Sequence, residues 1–120
     1  MSISKQNIVT LTASQATLYH SLVLDFLRNN IGDVFDYGLM DDIVFQEYEA
    51  NVNLLTKPDV SKAELDAAFG TLATILYSLM HFANDQIEDG VPYPIFGKFI
   101  QFTKENFLLI CGMATSSQPA

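Results

Sequence analysis

The chain has 120 residues, 49% of them hydrophobic and 17% charged, with a formal net charge of -8. That length provides for one domain with a real core, and its charge fraction falls below the usual quarter of a globular protein, which points to a face covered by a partner, most economically a second copy in a homodimer. The single cysteine, Cys111, excludes an intrachain disulfide or a multi-cysteine metal site, and within its apolar run it reads as a small buried hydrophobe.

The N-terminus "MSISKQNIVTLTASQ" lacks a basic region followed by a long apolar core and a cleavage site, so a cytoplasmic protein is expected. Residues 1–11 read as an arm, either disordered or, over 3–11, a short strand that needs a strand of another subunit. A first helix is expected from Ala13 to Asn29. Thr12 and Gln15 have the spacing of a capping box, and Ala16, Tyr19, Val23, Phe26 and Leu27 keep helical spacing. The stretch "NNIGDVFDYGL", with glycines at 32 and 38, is a loop that can hold one helical turn.

A second helix is expected from Met40 to Thr56, with Met40, Ile43, Val44, Tyr48, Val52 and Leu55 as its apolar stripe and Lys57-Pro58 as its end. The third starts at Ser61, whose capping box with Glu64 is flanked by Val60 and Leu65 as a hydrophobic staple, and ends near Ile87, before Gly90. The fourth begins at Pro94, carries Ile95, Phe96, Phe99, Phe102, Phe107, Ile110 and Met113, and stops near Gly112. The sum is an all-α bundle of four main helices over residues 12–113, with 114–120 as a disordered tail.

The third helix contains "AAFGTLATILYSLMHFA", Ala67 to Ala83, without one formal charge. Thr71, Thr74, Ser78 and His81 interrupt it and no basic cluster flanks it, which argues against a membrane span and for a helix buried over most of its circumference. Thr71, Thr74, Ser78, His81 and Asp85 follow one another at intervals of three and four, one stripe down one face. Its hydroxyls can bond back to the preceding turn, or the stripe can line a polar groove with His81 and Asp85 at its mouth.

The segment "ELDAAFGTLATILYSLMHFAND", after a helix containing "FQEYEANVNLL", is similar in layout to the all-α nucleoside triphosphate pyrophosphatases. The resemblance implies a self-associating bundle in which paired acids on two helices hold magnesium on a triphosphate. Here Thr71 and Thr74 stand where the family has its Glu and Asp, and Glu47 is followed three residues later by Ala50. Neutral hydroxyls cannot supply that charge, so the resemblance implies a non-catalytic relative, or a divergent enzyme using Glu47, Glu49 and one of Glu64, Asp66 or Asp85. Other chemistry has less behind it. His20 and His81 form no His-x-x-x-His or Glu-x-x-His pattern, and the chain has neither a nucleophile elbow nor a glycine-rich phosphate loop. No catalytic residue, metal site or cofactor is assigned.

The acids are unevenly placed. Asp33, Asp36, Asp41, Asp42, Glu47 and Glu49 lie between Arg28 and Lys57 without a base among them, and Arg28 is the chain's one arginine. Direct nucleic-acid binding is not expected of such a surface. At the least it keeps the protein soluble. Together with Phe35 and Tyr37, and with Tyr48 nearby, these acids make a candidate patch for a partner protein with a basic surface. The leading expectation is therefore a small acidic interaction module of the inhibitor, immunity or adaptor type.

Overall fold

The computed structural model describes residues 11–116 of the chain. Five helices follow one another: α1 (Ala13–Asn29), α2 (Ile31–Asp36), α3 (Asp42–Leu55), α4 (Lys62–Glu88) and α5 (Pro94–Ser116). The all-α bundle is thus observed, with four substantial helices and one short connecting one. The expected arm lies outside the described residues except for Leu11, which packs half-buried against the core.

Local chemistry sets the helix starts. Thr12 and Ser61 each cap through a complete box, with Gln15 and Glu64 reaching back to the cap backbone. The Ser61 N–H and hydroxyl both donate to the Glu64 carboxylate and hold it below its ordinary range. Asp41 caps α3 by accepting the Val44 N–H at 2.8 Å, so that helix starts two residues later than its apolar pattern suggests. Its negative charge also sits favourably at the helix N-terminus. Gly90 ends the α4 region with a φ of 79°, a backbone state that L side chains rarely adopt. α5 runs on through Ser116 rather than stopping near Gly112. No proline follows until Pro119, and one glycine costs a helix only about 1 kcal/mol, so the expected disordered tail is helical over 114–116.

Consecutive long helices are neighbours. α3 packs on α4, α4 on α5, and α1 closes the ring against both α5 and α3. Tyr19 meets Thr103 and Phe107 while Phe26 meets Phe99 and Phe102, so α1 and α5 run antiparallel. The centre is filled by Val23, Leu27, Val34, Tyr48, Leu72, Ile95, Phe96, Phe99 and Ile110. Among the described residues two buried polar side chains, Thr103 and His20, lie with them, and each makes a hydrogen bond. The Thr103 hydroxyl donates to the carbonyls of Phe99 and Ile100, and His20 Nδ1 lies 2.6 Å from the wholly buried Tyr48 hydroxyl.

α4 departs from expectation. Its buried residues are Ala68, Leu72, Leu76, Leu79 and Ala83, one stripe at intervals of four and three. Ala67, Gly70, Ala73, Thr74, Tyr77, Ser78, His81 and Phe82 are exposed. The helix is not surrounded: four long helices in a ring leave each with one side to solvent, and the apolar outer residues Ala73, Tyr77 and Phe82 mimic a core in sequence. α4 is the one described helix long and apolar enough to cross a membrane by length and composition, and here it packs its apolar stripe into the bundle. Ile43 is likewise 75% exposed, because Val44, Tyr48, Val52 and Leu55 already turn the inner face of α3 away from it.

Candidate functional site

A groove of about 560 Å³ lies between α3 and α4, bordered also by the α2–α3 connection. Its walls carry Leu39, Met40, Val44, Ile75, Leu79 and Phe82. Phe35 stands at the edge, 40% exposed and edge-on to Phe45 at 5.9 Å. Asp41 and Glu47 are the charged residues that line it, and Thr74 and Ser78 supply its hydroxyls. The surface is an apolar trough with an acidic rim on the α3 side.

The groove unites two sets of residues that are far apart in the sequence. From the acidic patch it takes Phe35, Asp41 and Glu47, and from the stripe on α4 it takes Thr74 and Ser78. Asp33, Asp36 and Asp42 are exposed beside it without lining it. Tyr37 stacks on Tyr93 with ring centroids 4.5 Å apart, which ties the α2–α3 turn to the α4–α5 connection. Glu49 leaves the patch altogether: it accepts from Arg28 at 2.6 Å on the α1 side of α3. One member of the expected acidic face is therefore neutralised within the bundle. Tyr48 is also removed, since it is core.

The lower half of the stripe behaves differently from the upper. Thr74 donates its hydroxyl back to the Gly70 carbonyl at 2.9 Å, so it needs no ligand to be satisfied. Thr71 is half-buried and borders a shallower depression with Gly70, Thr74 and Glu47. His81 and Asp85 form an exposed pair at 3.8 Å, away from the groove. Glu47 faces Thr71 and Thr74, the positions that the pyrophosphatase layout would fill with acids. A single carboxylate opposite two hydroxyls is a poor seat for a divalent ion. Among the described residues, no three His, Cys, Asp or Glu side chains converge as metal ligands would.

The sequence reading missed the groove's apolar floor. Leu39 carries no periodic signal, and Met40, expected as the first residue of the helix stripe, lies instead in the turn before α3; both are buried beneath the groove. A second groove, between α1, α4 and α5, was also missed, although Tyr77 and Leu108 on its lips are among the most exposed apolar residues of the molecule. Neither motif nor spacing marks it. Compared with known protein families, curated proteins and solved structures, the chain matches none of them.

Proposed function

We propose that this protein is an interaction module whose α3–α4 groove receives an amphipathic, basic segment of a partner protein. The observation that carries the proposal is the juxtaposition of an apolar trough with a rim whose lining charges, Asp41 and Glu47, are both acidic. A helix laid in the trough would bury apolar side chains at helical spacing and set lysines or arginines against that rim. Asp33, Asp36 and Asp42 extend the negative field beyond the contact and would speed encounter more than they tighten it. The protein would act in the cytoplasm, as a homodimer that leaves the groove open.

A synthetic amphipathic helix of leucines and lysines is the direct probe. Saturable binding should be lost in Thr74→Trp, which fills the groove from an exposed helix position, while the melting temperature stays within about 2 °C of the parent. Binding that survives Thr74→Trp would place the contact elsewhere and sink the proposal.

The divergent pyrophosphatase is the second reading, and the approach of Glu47 to Thr71 and Thr74 is what favours it. It needs pyrophosphate release from a nucleoside triphosphate with magnesium, abolished by Glu47→Ala. We rank it below the docking reading because neutral hydroxyls at positions 71 and 74 cannot balance the charge of the metal.

A further inference from the structure

The groove between α1, α4 and α5 holds about 550 Å³, within the roughly 300–1,000 Å³ usual for small-molecule sites. Its walls are Leu11, Leu76, Met80 and Phe107, and its lips are Tyr77 and Leu108, 69% and 68% exposed. Two further lining residues carry nitrogen donors. Lys104 stands in the wall with no acidic partner of its own among the described residues. His20 stands deeper, only 6% exposed.

The proton on His20 can be placed. The Tyr48 hydroxyl is wholly buried and its one partner among the described residues is His20 Nδ1, at 2.6 Å. If Nδ1–H donated to it, the phenolic proton would be left buried without an acceptor, which costs more than the bond returns. Tyr48 therefore donates to Nδ1. Burial pushes the His20 pKa down from 6.5 to about 4, so the ring is neutral near pH 7 and carries its own proton on Nε2. That nitrogen has no hydrogen-bond partner among the described residues, and it is not sealed from the groove that His20 lines. An apolar trough thus presents an unused N–H donor in its floor and an unpaired ammonium in its wall.

We propose that the α1–α4–α5 groove is a binding site for a long-chain carboxylic acid, with the acyl chain along the apolar walls and the carboxylate drawn to His20 Nε2–H and the Lys104 ammonium. In a chain of net charge -8, an anion needs such a local exception in order to bind at all. The acyl chain supplies the affinity and the two donors select the head group.

Titration calorimetry of the full chain with octanoate, decanoate and dodecanoate, each below its micelle concentration, tests this. Each two-carbon extension should tighten binding by roughly tenfold, from the transfer of two methylenes. Lys104→Met should weaken dodecanoate at least tenfold. Ala73→Trp, which fills the groove from an exposed position of α4, should abolish binding with the melting temperature unchanged. In ¹⁵N spectra the His20 ring signals should move with dodecanoate while those of exposed His81 stay fixed. Affinity independent of chain length, an unmoved His20, or binding that survives Ala73→Trp would each overturn the assignment. So would a halving of the solution mass on adding dodecanoate, which would make a second copy the occupant, or binding that appears only after deletion of residues 1–10, which would make the arm the occupant.

Discussion

His20 and Tyr48 form the most consequential pair of side chains in the molecule. Neither could be matched to the other from the sequence, where they lie on different helices with no shared motif. Tyr48 was legible as an apolar-stripe residue, but its hydroxyl needs an acceptor once buried, and His20 provides it. Burial lowers the His20 pKa and raises that of Tyr48. It also raises Tyr19 to about 12, with Cys111 adding to the effect, while the Tyr19 hydroxyl donates to the Thr103 carbonyl at 2.8 Å. The consequence for His20 has a definite sign. Between the folded value of about 4 and the ordinary 6.5, the unfolded chain binds a proton that the folded one refuses. Stability from the neutral ring is therefore complete above pH 6.5 and is lost as the pH falls toward 4, by an amount on the order of 3 kcal/mol. Urea unfolding of the wild type and His20→Gln across pH 4–7 should show a shallower slope in the variant. Parallel curves would mean that His20 is not buried neutral.

Among the helices, boundaries were far more legible than faces. Capping boxes at Thr12 and Ser61 give the starts of α1 and α4 because a cap is local chemistry, complete within four residues. The inner face of α4 is not local. Leu72, Leu76 and Leu79 are buried while the large aromatic side chains Tyr77 and Phe82 stay 69% and 40% exposed. Only the positions of α3 and α5 decide between them, and nothing in the uncharged run from Ala67 to Ala83 encodes those positions. The same limit hid most of the apolar floor of the α3–α4 groove. Its rim was partly legible as unopposed acids, and its α4 wall as the stripe through Thr74 and Ser78. Opposite mutational costs follow for the two sides of α4. Leu72→Ala should cost about 3 kcal/mol through the cavity it leaves, whereas Ser78→Ala should stay within roughly 0.5 kcal/mol. Chemical denaturation of both variants measures this, and comparable losses would contradict the orientation of the helix.

Across the whole molecule, the ring of four helices separates two kinds of surface. The α3–α4 side joins apolar floor to acidic rim, and the α1–α4–α5 side joins apolar walls to His20 and Lys104. Apolar surface is exposed in both grooves and at Ile43, Tyr77, Leu108 and Leu109. The net charge alone would attract any basic partner to any part of the surface, so location rather than attraction is what needs testing. Two double charge reversals of equal size separate the possibilities. Asp41→Lys/Glu47→Lys alters the groove, and Asp25→Lys/Glu105→Lys alters exposed positions on α1 and α5. The most direct measurement is the affinity of the leucine–lysine helix for these two variants at low salt. Docking in the α3–α4 groove predicts a loss of at least tenfold for the first variant and roughly twofold for the second, with the gap closing as salt rises. Equal losses in the two would mean that the partner reads overall charge, and the groove would not be its site.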